Sequence, residues 1–284
     1  MNKKSQFILY LAICMIGTVL SLPVYAETIT FGVYTSDKPT TMYRKFKPIL
    51  TYLEDRLGRA GVNTGIEIKI YSSYSGALDA VVNGEVDFAR FGPASYVLAK
   101  DRNKDIGLLA MEHKQNQKRF YGIFIVPQSS LITSLDQIRG KSFAFGDKNS
   151  TIGRYLSQAE LVKIGIHAGD LESYAYLGRH DKVALAVAAG NYDAGVVKEN
   201  TYKKYAASKR LKEIGRFPNV TKPWVVRAGF DEKRFGVLQQ ALLELKDKKI
   251  LNNLKQDGFL AAEDDDYEFV RQGMQGSKEF GGNP

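Results

Sequence analysis

The chain has 284 residues, 44% of them apolar, with 40 basic against 31 acidic side chains, a net charge of +9 and a single cysteine. That cysteine usage excludes a disulfide framework and a cysteine-ligated metal site, and the length suits two modest α/β lobes or one larger domain. The basic residues are scattered, and no groove-reading motif is present, so the charge favours a small anionic ligand over nucleic acid.

Met1 to Ala26 reads as an export signal. Lys3 and Lys4 form its basic head and Phe7 to Leu20 its apolar stretch, and Val24-Tyr25-Ala26 precedes a plausible cleavage point before Glu27. The apolar stretch is short for a membrane span, which needs about 20 residues. Cys14 lies inside this segment, so the mature chain, 27–284, is expected to contain no cysteine.

Beyond the signal, strand and helix patterns alternate. Ile29 to Tyr34 reads as a strand, and Met42, Phe46, Ile49, Leu53 and Leu57 recur at helical spacing up to Gly58. Ile66 to Tyr71 alternates as a strand, Ala77 to Val82 is helical, and Val86 to Phe88 is a short strand. Gly122 to Val126 and Ser142 to Phe145 are further strands. Tyr155 to Lys163 is helical, and Phe235, Leu238, Leu242 and Leu245 stripe a late helix. This alternation implies parallel sheets with helical crossovers. The tail after Gly273, with its Gly, Ser and Pro, is expected to fray.

Two local signals stand out. Ala80-Val81-Val82-Asn83-Gly84-Glu85-Val86-Asp87 is echoed about a hundred residues later by Ala186-Val187-Ala188-Ala189-Gly190-Asn191-Tyr192-Asp193. In each, a Gly can end a helix in the left-handed conformation and an Asp follows three residues on. Turns preceding these helices, Tyr74-Ser75-Gly76 and Arg179-His180-Asp181, could project side chains into a cleft between two similar units. The second signal is Phe145-Gly146-Asp147-Lys148-Asn149-Ser150-Thr151-Ile152-Gly153, a polar turn between a strand and a helix. Unpaired N–H groups and the helix dipole suit such a turn to a tetrahedral oxyanion, and the hydroxyls of Ser150 and Thr151 add donors. The same residues could equally be ordinary helix caps.

Several pieces occur in a telling order: Phe31-Gly32-Val33 with the Pro-containing helix to Leu57, Phe91-Gly92-Pro93-Ala94-Ser95-Tyr96, Phe145-Gly146-Asp147, Asn149-Ser150-Thr151, His180-Asp181 and Asp257-Gly258-Phe259. Together they resemble the periplasmic phosphate/phosphite/phosphonate-binding proteins of ABC transporters over nearly the whole mature chain. The resemblance implies an α/β, bilobal periplasmic-binding (type II) fold with a two-crossing hinge. The first lobe would be 27–120 plus 224–284 and the second 121–223, with the crossings near Phe120 and near Pro223-Trp224. The ligand site would comprise Asn149, Ser150, Thr151 and the backbone around Ile152, with Tyr74 and Tyr121 as aromatic walls and His180 as an oxyanion contact. No cofactor or metal is implied. The partners would be a small anionic ligand and an ABC permease, with membrane contact only through that permease.

Glu199 and Lys222 fall near positions where aminoalkylphosphonate-binding members carry acids. With Lys222 in place of the second acid, the resemblance points away from 2-aminoethylphosphonate. Arg90 and Arg179 flank family motifs and could meet a further anionic group if they face the cleft. Three other roles fit parts of the pattern. The fold could take a sulfonate or carboxylate, or serve as a sensory partner. Ser150 and His180 could also act as nucleophile and base of an exported hydrolase, but Ser150 lacks a Gly-x-Ser-x-Gly setting, and His113, His167 and His180 are dispersed.

Overall fold

A computed structural model of the chain describes residues 27–35 and 38–283. The expected export signal, with Cys14, lies outside the described residues. The elements are, in order, β1 (Glu27–Tyr34), α1 (Pro39–Arg59), β2 (Thr64–Tyr71), α2 (Tyr74–Val82), β3 (Phe88–Arg90), α3 (Pro93–Arg102), β4 (Gly107–His113), β5 (Arg119–Pro127) and β6 (Ser142–Phe145). There follow a π-helical turn (Thr151–Tyr155), α4 (Leu156–Lys163), β7 (Ser173–Tyr176), α5 (His180–Ala188), β8 (Ala194–Lys198), α6 (Glu199–Ala206), β9 (Leu211–Val220) and β10 (Pro223–Val226). The chain finishes with α7 (Glu232–Glu244), α8 (Lys248–Leu254), β11 (Gly258–Leu260), α9 (Glu268–Gly276) and a 3-10 turn (Ser277–Phe280).

The described strands form two sheets, ordered β11-β4-β10-β3-β1-β2 and β7-β6-β8-β5-β9. The first sheet therefore draws its strands from both ends of the described chain, and the second from its middle. The chain passes between them at 114–118 and again at 221–222.

The sheets are mixed, not parallel as the alternation implied. β1 pairs in parallel with β2 and β3, and β6 with β7 and β8. β10 and β11 run antiparallel to their neighbours, as does β5 to both β8 and β9. The reason is connectivity. A strand joined to its neighbour by a helical crossover must run parallel to it. β5 and β10 arrive from the other sheet without a crossover, so nothing imposes that direction.

Each sheet buries alternate residues against helices. On β1, Ile29, Phe31 and Val33 point into a core that also receives Met42, Phe46, Ile49, Leu53 and Leu57 from α1. Trp224 stacks on Phe31, with ring centroids 5.0 Å apart, and meets Phe46, Phe88 and Phe259. The second sheet has its own core around Phe124, Phe143, Phe145 and Phe217. Phe280 belongs to that core, edge-on to Phe145 with centroids 5.6 Å apart. The tail therefore does not fray as expected: one buried aromatic side chain anchors a segment whose polar residues suggested freedom.

The internal repeat is architectural. Gly84 and Gly190 adopt φ values of +78° and +77°, which an L side chain rarely tolerates. Glu85 N–H then bonds to Ala80 O and Asn191 N–H to Ala186 O. The two aspartates complete the match. Asp87 Oδ2 accepts from the Thr30 N–H of β1 (2.8 Å), and Asp193 Oδ2 accepts from the Ser142 N–H of β6 (2.9 Å). Each Asp thus pins the end of its unit to the strand that began it. The short strand after Gly84 starts at Phe88, two residues later than its apolar run suggests, because Val86 N–H still bonds back to Ala80 O.

A buried ion pair ties the first sheet together beside both passages. Arg90 of β3 donates Nε and Nη2 to the two oxygens of Glu112 on β4, each at 2.8 Å. Trp224 Nε1 (3.3 Å) and Gln256 Nε2 (3.0 Å) also donate to that carboxylate. Burial alone would raise the Glu112 carboxyl, but the charge and hydrogen bonds of Arg90 outweigh it and hold it down at about 2.

Two outcomes follow. Phe280→Ala should lower unfolding free energy by about 3–5 kcal/mol in urea titrations, the range for a large aromatic truncated in a core; a loss near zero would return the tail to the frayed state. Glu112 is favoured as carboxylate by folding, so its stabilisation is complete above its ordinary value of 4.5 and is lost as pH falls towards about 2. Glu112→Gln should flatten the acid slope of stability between these limits. At pH 7 it should cost about 3–5 kcal/mol, because Arg90 is left buried without its counter-charge. An unchanged slope in the variant would show that other carboxylates set it.

Candidate functional site

Between the two sheets, the N-termini of three helices and the π-helical turn converge on one small cavity of about 30 Å³. α2 brings Tyr74, α3 brings Gly92 and Pro93, α5 brings His180, and the turn brings Ser150, Thr151 and Ile152. Strand ends supply Tyr34, Arg90 and Asn219, and Phe120, Lys198 and Lys222 complete the lining. Each helix start contributes a partial positive charge.

The turn after β6 owes its shape to two glycines. Gly146 N–H donates to Gly153 O at 2.8 Å, and a Cβ built on either residue would lie within 2.9 Å of the other's Cα. Ser150 caps the turn: its Oγ accepts from Gly153 N–H at 2.9 Å, and its carbonyl accepts from Arg154 and Tyr155. The N–H groups of Thr151 and Ile152 have no protein acceptor among the described residues. Thr151 Oγ1 accepts from Ala94 N–H across the cleft at 2.8 Å. Both hydroxyls are used here as acceptors, so each keeps its hydrogen for a ligand. The capping and binding roles of this turn are compatible, since they use different sides of one hydroxyl group.

Opposite the turn, Tyr34 stacks on Tyr74 with centroids 3.7 Å apart. Its phenol oxygen accepts from Gly92 N–H and from Ser95 Oγ. Burial pushes the phenol up to about 12, so it is a neutral O–H donor at neutral pH. Asn219 is buried, and neither Nδ2 nor Oδ1 has a partner among the described residues. An amide in that state is costly unless something else completes it.

Of the residues expected from sequence, Ser150, Thr151, Ile152, Tyr74 and His180 meet around this cavity. The Ile152 side chain is directed into the second core, so only its backbone can serve the site. Tyr121 and Glu199 line an adjoining, larger cavity instead. Asn149 lines neither; its N–H turns back to Asp147 Oδ1 at 2.8 Å. Arg179 also lines neither and grips Asp181 with two bonds of 3.0 Å. Arg90 does face the cavity, with its charge engaged by Glu112. Tyr34, Phe120, Lys198 and Asn219 escaped the sequence reading. The best available signal was a polar Asn219 within the apolar run Phe217 to Val220, next to the second passage.

The profile of the family described as ABC transporter, phosphonate, periplasmic substrate-binding protein matches residues 31–267. The phosphate-import protein PhnD of Mycolicibacterium smegmatis is 27% identical over 209 residues, which cover 70% of this chain and 63% of that protein. The fold superposes on PhnD1 of Prochlorococcus marinus in complex with methylphosphonate with a TM-score of 0.79, at 20% identity, covering 89% of this chain and 99% of the other. A binding-protein component of an ABC phosphonate transporter from Pseudomonas aeruginosa gives the same TM-score at 21% identity, covering 90% and 88%. These likenesses show the bilobal periplasmic-binding fold, and the profile match over most of the sequence shows the family: the chain belongs to the periplasmic substrate-binding proteins of ABC phosphonate transporters.

Proposed function

We propose that this chain captures a small phosphorus oxyanion, a phosphonate, phosphite or phosphate, and presents it to an ABC permease. The carrying observation is the set of donors left open around one cavity: N–H of Thr151 and Ile152, the hydroxyls of Ser150, Thr151 and Tyr34, and the Asn219 amide. They surround a space of about 30 Å³, which suits a compact head group. Donors of this kind, aimed from helix starts, favour a tetrahedral anion without needing full counter-charges.

Binding proceeds by closure. Tyr34, Tyr74 and the α3 start belong to the first sheet's side, and Ser150, Thr151, His180 and Asn219 to the second. The anion gains its full set of donors only when the two sides meet, as the Ala94–Thr151 bond already makes them do. The division into lobes at 27–120 with 224–284 and at 121–223 is supported by which strands share a sheet, except that the last turn, Ser277–Phe280, packs into the second core; the flexing segments are placed at 114–118 and 221–222. Export by the 1–26 signal would deliver the protein to the periplasm, where the permease is met. Transport is favoured over hydrolysis, because Ser150 lacks a Gly-x-Ser-x-Gly setting and spends its hydroxyl oxygen on capping Gly153 N–H, while Asp181, the acid next to His180 in sequence, is gripped by Arg179.

Methylphosphonate, phosphite and phosphate should each be tested by thermal shift on residues 27–284, beside a sulfonate and a carboxylate. A ligand at a hundred times its Kd adds about 2.7 kcal/mol. A shift with a phosphorus oxyanion is the expected result. Silence from all three, with a response to the sulfonate or carboxylate, would discard the phosphorus assignment.

Two variants separate binding from folding. Ser150→Ala removes a cap and a donor. It should lower unliganded stability by about 1 kcal/mol and affinity by the roughly 1.5–3 kcal/mol of a charge-assisted bond. Asn219→Leu should weaken binding comparably and leave stability equal or higher, since it removes buried polar atoms that lack partners. Calorimetric affinities and urea titrations read both; unaltered affinity in Asn219→Leu would remove it from the site.

A further inference from the structure

The oxyanion cavity shares a wall with a second one of about 230 Å³. Phe120, Lys198 and Lys222 line both. The larger cavity is bounded by Lys114, Arg119 and Lys255, and by the first residues of α6, so a helix start adds its partial positive charge. The one acid in the lining, Glu199, is already bound to Lys203 at 2.5 Å. Thr221 contributes a buried hydroxyl oxygen that has no partner among the described residues.

Lys222 is the group between the two spaces. Its Nζ lies 5.1 Å from the centre of the Phe120 ring, and no carboxylate pairs with it among the described residues. Burial pushes its ammonium well below the usual lysine range, and Arg90, Lys198 and Lys45 push the same way. Glu112 opposes them, but its oxygens are taken by Arg90, Trp224 and Gln256. The charged form of Lys222 is thus disfavoured until an anion arrives: a negative group beside it restores the ammonium and is held by it, whereas a second cation disfavours the ammonium further.

Resting on the oxyanion reading above, we infer that the ligand is a phosphonate or phosphate carrying a second anionic group, which the larger cavity receives on Lys222, Thr221 and the start of α6. Lys222 is then the residue that decides selectivity by charge. The head group enters the small cavity and its substituent passes Phe120. A substituent ending in a carboxylate meets Lys222 and the Thr221 hydroxyl, whereas one ending in an ammonium meets like charge.

The test is calorimetric titration of methylphosphonate, 3-phosphonopropionate and 2-aminoethylphosphonate into the native mature chain, Lys222→Gln and Lys222→Glu. Native protein should bind the carboxylate compound at least about tenfold tighter than the amine, a preference of about 1.4 kcal/mol. Lys222→Gln should shrink that ratio towards one and Lys222→Glu should invert it. If Lys222→Glu does not fold, Lys222→Gln and the exposed pair Arg119→Gln with Lys255→Gln give the same reading, each lowering the ratio. Equal binding of the amine and the carboxylate by native protein, or a ratio indifferent to Lys222, overturns this inference while methylphosphonate binding keeps the oxyanion reading. Failure of every phosphorus compound to bind native protein overturns both.

Discussion

The buried Arg90–Glu112 pair is the constraint on which the rest of the arrangement hangs. It joins β3 to β4, collects Trp224 and Gln256 from the returning chain, and sits next to both passages between the sheets. Glu112 N–H also bonds to Lys222 O, so one residue braces the outgoing strand and the incoming one. Desolvating two charges is expensive, and such pairs are often no better than apolar packing for stability. Here the pair holds a fixed geometry at the base of the site. It also cancels the charge of Arg90, so the cavity's electrostatics are set by Lys222, by backbone N–H groups and by helix starts.

The site lies where open α/β sheets place their ligands, beyond the carboxyl ends of the parallel strands. Tyr34 ends β1, Arg90 ends β3, and Gly146 follows β6. Each strand end hands the chain to a turn and a helix start, so backbone donors gather there without any one side chain being decisive. This explains how one turn can cap its helix and still present donors to the cleft. Ser150 and Thr151 spend lone pairs on Gly153 and Ala94 and keep their hydrogens. On the proposed function, the Asn219 Nδ2, buried without a partner among the described residues, is one of the donors kept for the oxyanion.

The repeat contributes to this indirectly. Asp87 and Asp193 each fasten a helix exit to the strand that opened the unit, Asp193 through both the N–H and the hydroxyl of Ser142. The Ser142 hydroxyl bond lowers the Asp193 carboxyl below its usual value despite partial burial. With helix exits fixed, the opposite ends of the same helices, which carry Tyr74 and His180, are held at the cleft. The repeat that marked two similar units in the sequence is thus a scaffold for the helix starts at the cleft.

Much is legible in the sequence alone because it is local. Apolar periodicity marked β1, α1, β2 and β6, and the Gly146–Gly153 turn announced itself by composition. The ordered family-like pieces pointed to the bilobal fold and to Ser150, Thr151, Tyr74 and His180. What only the tertiary structure decided is whatever depends on the meeting of distant segments. Strand direction in β5 and β10 follows from where the chain comes from, which no window of sequence contains. The burial of Phe280, the pairing of Arg90 with Glu112, and the gathering of Tyr34, Asn219 and Lys222 at one cavity join residues from 22 to well over a hundred positions apart. Asn149 and Arg179 stood beside motifs yet turned away, each captured by an aspartate two positions off in sequence. Sequence spacing sets which face of an element a side chain takes; the folded chain sets what stands opposite it.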